Sequence, residues 1–349
     1  MVAVTGFGMW PGTDVREAQA VVVGDLTSVP DGLDGMPFTV SLPARGPWAD
    51  PVGVGASLLL DLPVELGIHG WMLSDRPGRD LSRAHALARE DLDALAVAAY
   101  GYSGALVVPI IGPISLAAQL YLARGDRVLA DPGALRELAE SLGAGINAHV
   151  ERIRGAVPGA QVTVLLRERL LAQAMAGVVP SFSGRASLRS IPAPVAAERL
   201  RTVLAGVRTV EGVHGVVDVG PSWTTIGTVV SAGVEGVGVA VAGIERRGWE
   251  RIAETVEQGV PLWAGLPEAA ARRSDRPELS AVSEAAGLAR ALVDPWHAVG
   301  LPARGLADVV LLPEVPAEAG GGWGAPEEAR GALALVIEAA QTVAERAAG

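Results

Sequence analysis

Eight short runs of β-branched or apolar residues recur along this chain, and a longer stretch of helical period separates most neighbouring pairs. The runs are Val2–Gly6, Gly67–Met72, Ala105–Ile110, Gln161–Leu166, Gly212–Val217, Val237–Val241, Val260–Trp263 and Asp308–Leu312. The clearest helical stretches are Asp80–Ala99, Asp131–Arg154, Pro194–Ala205, Trp249–Gln258, Leu279–Val293 and Pro326–Ala347. Asp131-Pro132 and Ala325-Pro326-Glu327 read as helix starts, with proline in the first turn and acids favoured by the helix dipole. An eightfold alternation of this kind predicts an α/β fold, a (β/α)8 TIM barrel. Length alone does not decide this, because 349 residues at about 150 per domain also suit two domains. The polar stretch Ser181–Pro194 is the best linker for two halves, yet the alternation runs through it in phase, so it is read as a βα loop. The expectation is one barrel domain over 1–349, with a low-complexity mobile loop at 313–326.

Composition removes whole mechanisms. Half the residues are hydrophobic and 19% are charged, which excludes a disordered chain. The balance of 28 basic against 39 acidic residues gives −11, which argues against nucleic acid or an anionic membrane as partner. Every basic residue is arginine. Without lysine there is no Schiff-base amine and no phosphate-loop lysine. Without cysteine there is no thiolate nucleophile, disulfide or thiolate-bound zinc. The first residues lack a basic region followed by an apolar run, and no window holds about 18 unbroken apolar residues, so a soluble cytoplasmic protein is expected.

Barrel chemistry sits on the loops after the strands. Gly6-Phe7-Gly8-Met9-Trp10-Pro11-Gly12 follows the first run, but proline replaces the third glycine of a dinucleotide fingerprint. After the second run, Arg76 and Arg79 could fork onto a carboxylate or phosphate, or pair locally beside a helix capped by Asp80. The fourth run ends in Arg167-Glu168-Arg169. Three charges at the mouth of a buried strand need compensation, either from an anionic substrate with Glu168 as acid or base, or from a structural ion network. His214 lies inside the fifth run, shortly before Asp218, and is either a proton-transfer group or a core histidine. The histidines show no metal-ligand spacing.

Several of these loops, taken in order, resemble the C-terminal catalytic barrel of cobalamin-independent methionine synthase in its short single-barrel form from actinobacteria. The matching stretches are Thr5–Asp14, Leu42–Gly53, Gly70–Leu81, Gly112–Ala118, Leu129–Leu142, Val213-His214 and Leu301–Ala307. The resemblance implies a (β/α)8 barrel and a homocysteine S-methyltransferase using methyltetrahydrofolate, in methionine biosynthesis. In that family a histidine, two cysteines and an acidic residue hold zinc, which binds the homocysteine sulfur as thiolate. Carried onto this chain, the histidine is His214, but the other ligands fall at Val216, near Ala240 and at Arg304. The family's Asp-Glu-Pro becomes Arg167-Glu168-Arg169, its Ile-Gly-Ser becomes Phe7-Gly8-Met9, and the tryptophan after Gly-Pro is Ile114.

One imidazole cannot hold catalytic zinc, so neither a metal nor a cofactor is expected. The first reading is a degenerate paralogue, a pseudoenzyme that binds a ligand or a protein partner, with Arg304 bridging to Glu168 or Asp218 in place of the metal. The alternative is a metal-free enzyme on the same barrel, with Arg76, Arg79, Arg167, Arg169 and Arg304 gripping a small anionic or amino-acid-like substrate and Glu168 or His214 moving protons. Metal-free methyl transfer is the third, disfavoured because an unassisted thiol is only a few per cent thiolate at neutral pH.

Overall fold

The computed structural model describes residues 1–267, 277–314 and 323–349. In chain order the first part comprises β1 (Val2–Val4), α1 (Val15–Thr27), β2 (Leu33–Gly35), α2 (Pro51–Ser57), β3 (Val64–Gly67), β4 (Gly70–Leu73), α3 (Arg79–Ala98) and β5 (Ala105–Ile111). The middle part comprises α4 (Pro113–Ala117), α5 (Pro132–Ala156), β6 (Gln161–Arg167), α6 (Leu171–Ala176), α7 (Ala193–Val207), β7 (His214–Asp218) and α8 (Ile226–Ser231). Then follow β8 (Gly236–Ala240), α9 (Arg246–Glu257), β9 (Leu262–Leu266), α10 (Pro277–Ala298), β10 (Val310–Pro313) and α11 (Pro326–Ala348).

Eight of these strands form one parallel sheet in the order β2-β1-β10-β9-β8-β7-β6-β5. The sheet is curled. Just beyond β2, Phe38 bridges Val107 of β5, with Thr39 N–H donating to the Val107 carbonyl at 3.0 Å and Val107 N–H to the Pro37 carbonyl at 2.8 Å. Side chains such as Val108, Val164, Leu166 and Val217 are fully buried. Such near-continuous apolar runs are what a parallel sheet covered on both faces requires.

The helix starts follow from side-chain capping. Asp131 accepts from the N–H groups of Gly133 and Ala134 ahead of Pro132, and Asp14 accepts from those of Arg16 and Glu17. At α11, Glu328 reaches back to the N–H groups of Gly324 and Ala325.

Among the described residues the main sheet has eight strands, but one expected member is different. The run Gly67–Met72 lies in an antiparallel hairpin of β3 and β4 outside the main sheet, turned over Ile68-His69 between two glycines. A two-residue tip of this kind pairs a strand with its own continuation, which a crossover to a parallel neighbour cannot do. The eighth sheet strand is instead Leu33–Gly35, whose Asp34 and Gly35 interrupt the apolar signal. Of residues 181–194, 181–192 lie between α6 and α7 as a loop whose Phe182 packs edge-on against Tyr121 and His69, and the last two open α7. Of the expected mobile loop 313–326, residues 315–322 lie outside the described residues.

Helix α5 packs closely enough that size is restricted along it. A Cβ on Gly145 would lie 1.7 Å from the Leu58 carbonyl oxygen, whereas one on Gly155 meets nothing within 4 Å. Gly145→Ala is therefore expected to cost about 3 kcal/mol or more, and Gly155→Ala to gain about 0.5–1 kcal/mol from helix propensity. Urea unfolding of the two variants checks both signs.

Candidate functional site

Strand register brings the chemistry together. Ile111, Arg167, Asp218 and Gly238 are successive partners across β5, β6, β7 and β8, so the last residues of β6 and β7 stand side by side. Arg169 follows two residues after β6, and Glu314 follows directly after β10. The result is a cluster of two guanidiniums and two carboxylates at the C-terminal end of the sheet. Asp218 Oδ2 lies 3.9 Å from Arg167 Nε and 3.8 Å from Arg169 Nη1, and Arg169 Nη1 lies 3.0 Å from Glu314 Oε2. Asp218 is fully buried, with its other oxygen accepting from Gly220 N–H at 3.0 Å. Phe7, in the loop after β1, presents its ring to both arginines, 4.7 Å from the Arg167 guanidinium carbon and 6.0 Å from that of Arg169.

Above the cluster opens a cavity of about 890 Å³. Arg167 and Arg169 line it together with Met9, Trp10, Asp50 and Trp323. Arg167 is only 9% exposed, and among the described residues its hydrogen bond is a long one, from Nη1 to the Phe7 carbonyl at 3.4 Å. Its Nε and the facing Asp218 Oδ2 are both buried without a hydrogen-bond partner. Burial lowers the Arg167 pKa to about 10, with Asp218 opposing, so the group stays cationic at neutral pH. A buried cation on a cavity wall favours an anionic group beside it, and here Asp218 supplies the charge without closing a hydrogen bond.

Glu168, expected as an acid or base, does not line that cavity. It has no exposed surface and is enclosed by the loop after β5. Its Oε1 accepts from Ile114 N–H at 2.8 Å, and its Oε2 from Ser115 N–H at 2.9 Å and Ser115 Oγ–H at 2.7 Å. Ser115 Oγ in turn accepts from Leu170 N–H at 3.0 Å. Burial lifts the Glu168 carboxyl to about 7 against the pull of its donors. Its contacts tie the end of β6 to the start of α4.

The other expected site residues are not brought here. His214 is the first residue of β7, exposed at the opposite end of the strand, about 13 Å of chain rise from Asp218. Arg304 lies exposed in a 3-10 helix, Ala303–Asp308, that precedes β10, so it too is at the N-terminal end of the sheet. No bridge from Arg304 to Glu168 or Asp218 forms; Asp218 faces Arg167 and Arg169 instead. Arg76, between β4 and α3, and Arg79, the first residue of α3, are exposed and outside the cavity lining. Glu314 and Phe7 are partners that were not expected. The signal for Glu314 was available, since it follows the apolar Leu311-Leu312 run as Arg167 follows Leu165-Leu166.

The zinc that the family resemblance implies does not fit these residues. Asp218 and Glu314 face arginines, His214 is at the far end, and there is no cysteine. Among the described residues no three His, Cys, Asp or Glu side chains form a metal-binding group. A guanidinium within 4 Å of both carboxylates repels a divalent cation.

No protein-family model matches the chain, and no curated protein matches it. Solved structures similar to it include the following two. One is a B12-independent methionine synthase from Shewanella sp. W3-18-1 in complex with selenomethionine, 11% identical over 79% of this chain and 70% of that one, with a TM-score of 0.46. Another is 2,3-dimethylmalate lyase, a PEP mutase/isocitrate lyase superfamily member, 11% identical over 88% of this chain and 76% of that one, with a TM-score of 0.34. Among the described residues no helix is long and apolar enough to cross a membrane.

Because the Glu168 pKa is raised in the fold, stability from this group is fully present below its unfolded value near 4.5 and is lost as pH rises through about 7. Glu168→Gln should remove that pH dependence. It should also cost about 1–3 kcal/mol, because either amide orientation turns an NH2 toward a backbone N–H. Urea titrations of both proteins at pH 5 and pH 8 measure the two effects.

Proposed function

We propose that this chain is a closed (β/α)8 barrel of methionine-synthase-like architecture that binds a small carboxylate-bearing molecule without metal. Closure is supported by the Phe38–Val107 bridge between the sheet edges. The binding role rests on one observation: Arg167 is nine-tenths buried, lines the cavity, and has a donor with no partner in the protein. A carboxylate docked there would face the Arg167 guanidinium beside Phe7. The mismatch between these residues and a zinc site argues for a chain that has left zinc-dependent homocysteine methylation behind. A ligand-binding pseudoenzyme is the reading that this geometry favours over acid–base catalysis, because Glu168 is enclosed by the 112–115 loop and His214 stands at the far end of the sheet.

The test is a thermal-shift screen of amino acids, folates, and mono- and polycarboxylates. A ligand at a hundredfold over its Kd stabilises the folded protein by roughly 2.7 kcal/mol, a clear upward shift in Tm. Arg167→Gln is expected to abolish that shift. Absence of any shift across the panel sinks the binding role, and stoichiometric zinc in the purified protein sinks the metal-free part.

A further inference from the structure

The two arginines at the end of β6 offer their guanidiniums differently. The unpartnered Nε of Arg167 is buried 3.9 Å from Asp218 Oδ2, so that donor faces the protein and not the cavity. Arg169 is engaged at one nitrogen. Its Nη1 donates to the two oxygens of Glu314, at 3.0 Å and 3.4 Å, and lies 3.8 Å from Asp218 Oδ2, while its Nε and Nη2 make no hydrogen bond with the described residues. Among the described residues the buried side-chain nitrogens without a partner belong to Arg167 and Arg199, so the free nitrogens of Arg169 reach solvent, and the side chain is 32% exposed on the cavity wall. The hold on Nη1 is itself fixed in place. Glu314 N–H donates to the Leu266 carbonyl at 2.8 Å, and a Cβ on Gly265 would lie 2.3 Å from Glu314 Oε1, so only glycine leaves room for the carboxylate. Gly220, at φ +62°, does the same for the guanidinium, since a Cβ there would lie 2.9 Å from Arg169 Cδ and Nε.

Which nitrogens are free decides what the residue can do. Nη1 lies on the Cδ side of a guanidinium, so a partner there leaves the side-on edge untouched, where Nε–H and one Nη2–H point the same way and match the two oxygens of a carboxylate. The same molecule shows that edge in use, for Arg330 grips Asp25 with Nε and Nη2, each at 2.8 Å. Building on the carboxylate cavity proposed above, we infer that Arg169 is the residue that hydrogen-bonds the ligand's carboxylate, side-on through Nε and Nη2, while Glu314 holds its Nη1 and Arg167 contributes charge. Arg167, Arg169, Asp218 and Glu314 sum to zero formal charge, so neutralising either arginine leaves an excess of negative charge beside the ligand, whichever of them forms the bonds. Lysine keeps the charge and loses the edge, and so separates the two roles.

Proton–nitrogen NMR of the arginine Nε–H groups, titrated with benzoate and with benzamide at constant ionic strength, reads the contact directly, because the two probes share a ring and only one is an anion. In the wild-type protein benzoate is expected to shift the Arg169 Nε–H resonance saturably, and benzamide to leave it in place. Arg169→Lys should weaken benzoate binding about tenfold or more, since the charge remains without the paired donors, whereas Arg167→Lys should change it by less than about threefold. A saturable shift at Arg167 Nε–H with none at Arg169 overturns the inference and leaves the carboxylate cavity standing, and this arm needs no variant to fold. So does an Arg169→Lys protein that binds benzoate as tightly as wild type. If neither arginine responds saturably to benzoate up to about 100 mM, the carboxylate cavity itself fails along with the inference.

Discussion

Two guanidiniums and two carboxylates share the end of a parallel sheet, and much around them is arranged to make that burial tolerable. Asp218 has no exposed surface and Arg167 very little. Each charge alone there would cost several kcal/mol. Their pairing is incomplete, with facing polar atoms 3.9 Å apart and no hydrogen bond between them. The interaction therefore compensates charge while leaving directional bonding capacity on the arginine that lines the cavity. A fully bonded pair would be a structural feature only. This one combines an electrostatically settled site with an unused donor.

The fold delivers this arrangement through register. Parallel strands place residues of neighbouring runs side by side, so the end of β6 and the end of β7 bring Arg167 against Asp218 without help from a loop. The adjacent residues do different work. Glu168 turns away from the cavity into the donors of the 112–115 loop, anchoring α4. Arg169 turns to Glu314, which arrives from the end of β10. Three successive charges thus have three separate partners, and the ion network among them borders a cavity.

Much of the architecture was legible. Apolar runs of strand length, spaced by helical stretches, located seven of the eight sheet strands to within a few residues. The miss is instructive, since Gly67–Met72 and Leu33–Gly35 differ in which one carries the apolar signal and which one joins the sheet. A hairpin buries apolar residues too, while a three-residue strand with an aspartate and a glycine gives no pattern. For the site, charge at a strand terminus found Arg167 and Arg169. Family resemblance pointed to His214 and Arg304, which the structure puts at the N-terminal end of the sheet. Correspondence of short loop motifs does not preserve which end of a strand a residue occupies.

By itself the sequence determined the α/β alternation, the absence of lysine and thiolate chemistry, and the need to compensate charges after Leu166, because these depend only on residue type and local order. The partners of those charges were decided by tertiary structure. Glu314 is 145 positions from Arg169, and Phe7 is 160 from Arg167. Only a curled sheet that gathers its strand ends sets them within 3.4 Å of each other, since a contact between distant positions is fixed by register and curvature and by no local pattern.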